Sequence, residues 1–581
     1  MKRPLVSKRW NVTPGDNQAE ALLIMDLGVH PIVARMLVQR GLTTPELVDE
    51  FLNPTLDRLH DPMLLPDAEA ACQRIKTALH NKEKILIHGD YDGDGVTSAA
   101  LWTRLLRSLG GDVGVFVPHR KRNGYDMQMP FIEKAKADGV NLIITTDCGI
   151  QQIEEVAAAR EAGIDVIITD HHTPNANGSL PEAVAVVNPH RKDSRYPFPN
   201  LAGVGVAFKM GEALTTFLGH RVEAFHRGFL DLAAIGTITD CMPLLGENRI
   251  IVKNGLEALI NTKKPGLRSL IAEAGYAEKV LDARAVSHGI GPRLNAASRV
   301  DETQIALDLL MTKDDTDGYR LARRLNELNN QRREDQEKVF EEALAQVAQQ
   351  DVTEARCLVL SGNGWPAGLA GLVASKMVER FNRPCVVIAV DERSGKGKGS
   401  ARSIQAFNIY NAVDACRDLL DEYGGHAHAA GLSLASEQVP DFAAQMNRLA
   451  GALLTEEDFV PSLEVTKQVD PSEIVPELLE QLEALAPFGH ANREPLFSSL
   501  SVPVVDVARM GKEQNHLRLK FQADGLNGRD VVDAPWFFRG ELADVFTPGS
   551  TLDICYRPQF NFWKERRSIQ FMIEDIRPPE W

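Results

Sequence analysis

Three short apolar runs in this chain end in the same way. Lys84-Ile-Leu-Ile-His88 runs into Gly89-Asp90-Tyr-Asp92-Gly-Asp94-Gly95, Asn141-Leu-Ile-Ile-Thr145 into Thr146-Asp147-Cys148-Gly149, and Asp165-Val-Ile-Ile-Thr169 into Asp170-His171-His172. Helical patterns at Val96–Leu109, 130–138 and 151–161 lie between such runs, and Val113–Val117 and Ala183–Val187 add two more. Nearly continuous apolar strands alternating with helices predict a parallel sheet covered on both faces. The expected fold is doubly wound α/β. In open parallel sheets ligands bind outside the carboxyl ends of the strands. That rule gathers Asp92, Asp94, Asp147 and His171 along one edge, with His88 behind them.

Carboxylates packed this closely repel one another and raise each other's pKa, and a divalent cation resolves the conflict. Oxygen-dominated ligation with one or two imidazoles suits Mg²⁺ or Mn²⁺ better than thiolate-bound zinc, and the imidazoles favour Mn²⁺. Two such ions about 3.5–4 Å apart would clamp a phosphoryl group and acidify a water. The expected chemistry is metal-assisted phosphoester hydrolysis. Other catalysts fit poorly. Leu201-Ala-Gly203-Val-Gly205-Val-Ala-Phe208 begins like a dinucleotide fingerprint, but Phe208 stands where the third Gly belongs. The sequence contains no G-x-x-x-x-G-K-[ST] and no G-x-S-x-G.

At 581 residues the chain should divide into several domains. A hydrophobic fraction of 44% with 25% charged residues is ordinary for a globular protein and excludes a disordered or collagenous chain. No apolar run approaches the ~20 residues that span a bilayer. Basic residues at the N-terminus are followed by no apolar stretch, so no signal peptide is expected. Seven Cys without a C-x-x-C pair fit a reduced, cytoplasmic setting. The net charge of −16 argues against a histone-like DNA binder but not against a nucleic-acid enzyme, because local patches matter more than the total. His119–Gly124, Lys396–Lys398 and Lys564–Arg567 are such patches.

The pattern divides into an N-terminal segment of short helices (1–78), the catalytic α/β domain (79–315), and a long charged helix with Leu321, Leu325 and Leu328 on one side (316–350). A second, smaller α/β unit (351–456) and a strand-rich segment expected to form a small β-barrel (457–581) complete the chain.

The motif series resembles the DHH phosphoesterase family. His88–Gly95, Thr146–Gly149 and Asp170–His172 look like its first three motifs, and Asp231–Leu244 resembles the fourth. Gly291-Pro-Arg293-Leu-Asn295-Ala-Ala-Ser-Arg299 and Gly424-Gly-His426-Ala-His-Ala-Ala-Gly-Leu-Ser433 extend the match into the second domain. Together with the strand-rich end, roughly 80–581 is similar to the family's single-strand-specific 5′→3′ exonucleases. The resemblance implies Asp92, Asp94, Asp147, His171 and Asp240 as metal ligands, with Asp147 bridging and His88 a further ligand in the wider family. It implies a supporting or phosphate-contacting role for His172, and orienting roles for Asp90 and Asp170. Asp231 is read as an ordinary helix residue.

The same resemblance implies backbone contacts for Arg120 and a 5′-phosphate contact for Arg293. Ser400 and Arg402, in Lys398-Gly-Ser-Ala-Arg402, match a phosphate-binding loop, and Gly425 and His426 match residues close to a nucleotide. The chain departs from the pattern at Pro366, where His is usual after Trp365, at Ser298 and at Asp126. The barrel implies an OB-fold for single strands, with Tyr556, Phe560, Phe562 and Trp563 as stacking platforms beside Arg557, Lys564, Arg566 and Arg567.

The expected function is a two-metal exonuclease (Mn²⁺ or Mg²⁺) that degrades single-stranded DNA to mononucleotides in repair and recombination. Substrate would thread between the catalytic sheet and the second domain, where a duplex is too wide. It is expected to act as a monomer, with a single-strand-binding protein and a helicase as collaborators. The competing enzyme reading is a phosphodiesterase for short oligonucleotides or cyclic dinucleotides. A catalytically silent DNA-binding scaffold is the third, opposed by the intact carboxylate set.

Overall fold

The structure, a computed structural model, describes residues 8–118, 127–175, 177–299, 302–349, 355–524, 531–563 and 566–579. By contacts the chain divides into two compact units, one of Asp49–Arg332 with Leu485–Arg493, the other of Met1–Val48, Arg333–Ala484 and Glu494–Trp581.

The first unit is built on a five-stranded, all-parallel sheet. Its strands are β1 (Lys84–Gly89), β2 (Asp112–Phe116), β3 (Leu142–Thr146), β4 (Asp165–Thr169) and β5 (Ala185–Val187), in the spatial order β2-β1-β3-β4-β5. The expected strand positions hold to within two residues. Ile85, Ile87, Leu142, Ile144 and Ile167 face a large core of helices that includes α1 (Gly93–Ser108), α4 (Gly203–Phe217) and α5 (Val222–Thr239). The other face, with Ile143, Val166 and Ile168, packs on α2 (Met129–Ala137) and α3 (Ile153–Glu161). Burial on both faces is why these strands read as unbroken apolar runs. Helix α6 (Gly291–Arg299) and the start of the long α7 (Asp315–Ala348) complete the unit.

In the second unit, α8 (Ala370–Phe381) packs on a sheet of β6 (Leu358–Asn363), β7 (Cys385–Asp391), β8 (Lys396–Arg402), β9 (Glu422–His426) and β10 (Ala429–Ala435), ordered β9-β10-β8-β7-β6. Towards the C-terminus, β11 (Phe497–Met510), β12 (His516–Gln522), β13 (Val531–Trp536), β14 (Thr551–Trp563) and β15 (Arg566–Arg577) form a barrel. Its ladder runs β11-β12-β13-β15-β14 and closes through β11–β14. The expectation of short helices at the N-terminus needs one addition. Arg9–Val12 is a strand, paired in parallel with Ser462–Val465, and four residues give too short a run for period-2 patterning to register.

Candidate metal centre and nucleic-acid interface

Each chemistry-bearing side chain of the first unit is fixed by backbone that the sequence dictates. Asp92 caps α1, its Oδ1 accepting the N–H groups of Asp94 (2.9 Å) and Gly95 (3.0 Å). Asp94, one residue inside the helix, accepts the N–H of Gly203 at 2.7 Å and of Val204 at 2.9 Å, the first donors of α4. Asp147 follows β3 in the left-handed region, φ 61°, a conformation costly for a non-glycine residue and characteristic of functional sites. A Cβ on Gly203 would lie 2.5 Å from Asp147 Oδ1, so only glycine admits this approach. That constraint explains Gly203 without any dinucleotide, and a Cβ on Gly205 would crowd Leu201 at 3.2 Å.

Asp170, after β4, is saturated by hydrogen bonds. Its carboxylate accepts the N–H groups of Ile150, His171 and His172 and lies 2.8 Å from His172 Nδ1. Burial would raise Asp170, but the bond and charge of His172 bring it down to about 2. Burial likewise opposes the charge on His172, and Asp170 overrides it, holding the imidazolium up to about 9. His171 behaves in the opposite way. Burial, and then the His172 charge, push it down to about 4, and the ring donates to the Leu201 carbonyl. It is a neutral imidazole whose Nε2 faces Asp147 Oδ1 at 3.1 Å and Asp240 Oδ2 at 3.7 Å.

Three overlapping groups of potential ligand atoms therefore line this edge: Asp147, His171 and His172; Asp94, His171 and Asp240; and Asp90, Asp92 and Asp147. Within each group the atoms lie inside 4.8 Å of one another. Asp147 and His171 each belong to two groups. Burial, followed by mutual repulsion, raises Asp94 and Asp147 well above the carboxylate range, and burial then Asp92 push Asp240 up to about 7. The buried Asp147 Oδ1 and Asp240 Oδ2 accept no hydrogen bond. Among the described residues neither is paired with Lys or Arg. Crowded, unsatisfied carboxylate oxygens converging on a neutral imidazole nitrogen fit divalent cations.

The structure leaves His88 out of these groups. Its ring is fully buried against Phe116 and Phe131, centroids 5.5 and 4.6 Å away, with Nδ1 3.6 Å from Cys148 Sγ. In a strand whose side chains alternate, His88 shares the face of Leu86 rather than pointing along the strand axis to the sheet edge. Asp231 makes no contribution to the edge. It is neutralised by Lys264 at 2.8 Å and by Thr262. Asn295, to which the sequence assigned no role, accepts the Gly93 N–H at 2.7 Å.

The N-terminal domain of the DHH family matches residues 84–237, the DHHA1 domain residues 354–452, and the RecJ OB domain residues 465–575. The single-stranded-DNA-specific exonuclease RecJ of Bacillus subtilis is 38% identical over 578 residues, covering 99% of this chain and 72% of its own length. RecJ of Thermus thermophilus, solved in complex with Mn²⁺, superposes with a TM-score of 0.83 at 30% identity, covering 99% of this chain and 80% of that one. A second Thermus thermophilus structure, with Mg²⁺, gives 0.78 at 29% identity, covering 99% and 79%. The chain belongs to the RecJ family. Its expected α/β architecture, with a second smaller α/β domain and a C-terminal OB barrel, is the architecture observed. Metal-bound RecJ structures beside the converging carboxylates support Mn²⁺ or Mg²⁺ as the cofactor.

The remaining expected contacts of this RecJ-family chain fall at several places. Arg293 on α6 donates to the Gly289 carbonyl at 2.6 Å and to Asn326 at 3.0 Å, a braced position. In the DHHA1 domain, Arg402 Nη1 donates to Ser400 Oγ at 3.1 Å. A Cβ on Gly371, at the start of α8, would meet both residues at about 3 Å, so the two share one small polar corner. Gly425 has φ 147°, and a Cβ there would lie 2.4 Å from the Ala429 carbonyl. Its smallness serves the β9–β10 hairpin. His426, at the end of β9, is exposed.

In the barrel, Phe562 is 72% exposed and Arg567 lies over the Phe560 ring at 3.5 Å. Tyr556 corrects the expectation of a stacking platform. It is fully buried, stacked on Phe571 at 4.0 Å, with its hydroxyl 3.0 Å from Ser499. Arg557 is paired with Glu574 and Arg567 with Glu480. Arg120, Tyr125, Asp126, the Trp563 ring and Lys564 lie outside the described residues. Among the described residues no helix is long and apolar enough to cross a membrane.

Proposed function

We propose that this chain is a two-metal exonuclease that degrades single-stranded DNA from the 5′ end to mononucleotides, with Asp92, Asp94, Asp147, His171 and Asp240 holding the ions. One observation carries the site assignment: Asp147 Oδ1 and Asp240 Oδ2, buried and without hydrogen bonds, face the neutral His171 Nε2. The ions supply charge neutralisation of the phosphodiester and acidification of the attacking water.

The chain's own residues do the positioning. Asp147 joins two of the ligand groups, which suits a bridging carboxylate. The Gly203 and Val204 N–H groups hold Asp94 in one rotamer. Asp170 keeps His172 protonated, and that imidazolium, half exposed, is placed to donate to a non-bridging phosphate oxygen. His88 receives no ligand role, because its ring joins none of the ligand groups.

The catalytic domain is assigned to 79–315, the DHHA1 substrate domain to 351–456 and the OB domain to 457–581. Ser400, Arg402 and His426 are assigned to phosphate and nucleotide contacts, Arg293 to the 5′-phosphate, and the exposed Phe562 with Phe560 to base stacking. The corresponding setting is DNA repair and recombination in the cytoplasm, with a single-strand-binding protein and a helicase as collaborators.

The test is a time course on a 5′-labelled 40-mer, single-stranded and duplex, with Mn²⁺, Mg²⁺ or EDTA. Release of labelled mononucleotide from the single strand alone, abolished by EDTA and by Asp147→Ala, is expected. An intact 5′ label on a shortening strand overturns the polarity. Hydrolysis confined to dinucleotides overturns the substrate.

A further inference from the structure

Below the metal edge, on the sheet face that carries α2, lies a pocket of about 590 Å³ over β1 and β2. Strand β2 is the edge of its sheet, paired on one side only. The volume is in the range that takes a small organic ligand, roughly 300–1,000 Å³.

The lining is chemically particular. The Phe116 and Phe131 rings pack on each other, centroids 5.0 Å apart at 36°, with the His88 ring against both, and both phenyl groups are only partly buried. His88 Nε2 is buried and has no hydrogen-bond partner, whereas Nδ1 is engaged by Cys148. A partly exposed aromatic pair suits stacking of a flat heterocycle. Gly114 adds no side chain to the floor, and a Cβ there would crowd Leu86 Cδ1 at 3.2 Å.

Two cations complete the lining. Lys134 pairs with Asp138 at 2.9 Å, and among the described residues Lys84 Nζ donates to the neutral Asp138 carbonyl at 2.8 Å and forms no ion pair. Lys84 can therefore turn to an anion without leaving a carboxylate unpaired.

We propose that this pocket binds a nucleoside 5′-monophosphate, with the base stacked on the open faces of the Phe116 and Phe131 pair and the phosphate at Lys84 and Lys134. The inference rests on the pocket and not on the exonuclease reading. If both hold, the enzyme carries a second site for its own product class.

Equilibrium dialysis of radiolabelled dAMP and dTMP against the full chain in EDTA tests it, because chelation removes ions through which the metal edge could hold phosphate. One saturable site per chain is expected, weakened about tenfold or more by Phe131→Ala and by Gly114→Val. Deoxyribose 5-phosphate should not compete. Lys134→Glu, at an exposed position, should weaken dAMP and leave deoxyadenosine unchanged, which separates loss of the site from loss of the fold. No saturable binding, binding unchanged in both pocket variants, or equal competition by the base-less sugar phosphate would overturn the proposal. Exonuclease activity measured in Mn²⁺ on the same preparations reports separately on the catalytic reading.

Discussion

Asn295 Oδ1 accepts the Gly93 N–H at 2.7 Å, tying helix α6 to the turn that carries Asp92 and Asp94. The bond uses a side chain about two hundred residues away to hold a ligand-bearing loop. Groups that orient metal ligands this way typically change affinity or activity by about 10–100-fold when removed. Asn295→Ala should therefore lower exonuclease turnover by about that factor and raise the Mn²⁺ concentration needed for half activity. Equal loss at saturating Mn²⁺ would indicate a role other than holding the loop.

Asp147→Asn should abolish turnover and yet stabilise the metal-free protein. The carboxylate is buried among other carboxylates and, among the described residues, has no Lys or Arg beside it, and the amide removes that charge. We expect about 1–3 kcal/mol of added stability in EDTA, read by urea unfolding, and none of that advantage once Mn²⁺ is present.

The same crowding sets a pH dependence. Asp240 is held near pH 7, and Asp94 and Asp147 lie well above the unfolded carboxylate value. Between roughly pH 4 and pH 7 these three carboxyls thus bind more protons in the folded state than in the unfolded one, a contribution to stability that falls as pH rises and that the depressed His171 offsets only in part. Metal-free protein should lose stability over that window, and Mn²⁺ should flatten or reverse the slope. Parallel unfolding midpoints with and without EDTA check it.

Two neighbouring aromatics of the barrel should behave differently. Phe562→Ala, at an exposed site, should weaken single-strand binding by about 1–3 kcal/mol with little change in unfolding. Tyr556→Ala should cost about 3–5 kcal/mol of stability by opening a cavity. Fluorescence-anisotropy titrations beside thermal melts separate the two effects.

The strand ends of the catalytic sheet were legible because a parallel sheet buried on both faces writes apolar runs, and because Asp and His cannot sit at the end of such a run without a reason. His88 stands outside the ligand groups for a related cause. Sequence places a residue at a strand end but not on one face of it, and here the face wins. Tyr556 shows the same ambiguity in the barrel, where alternation assigns inside and outside only once the register is known. The roles of Gly203 and Asn295 were hidden because each acts on a backbone group far away in the chain. Their residue types were visible within quoted motifs, but their partners were not.

The strand Arg9–Val12, paired with Ser462–Val465, has a consequence for biosynthesis. It is synthesised some 450 residues before its partner. At about 5–20 residues per second the early strand waits roughly half a minute or more with an unpaired edge. Closure of that two-stranded ladder thus reports that synthesis has passed Val465, beyond the β6–β10 sheet but before the barrel. A tag fused directly to Arg9 would burden this late step of folding rather than the catalytic sheet.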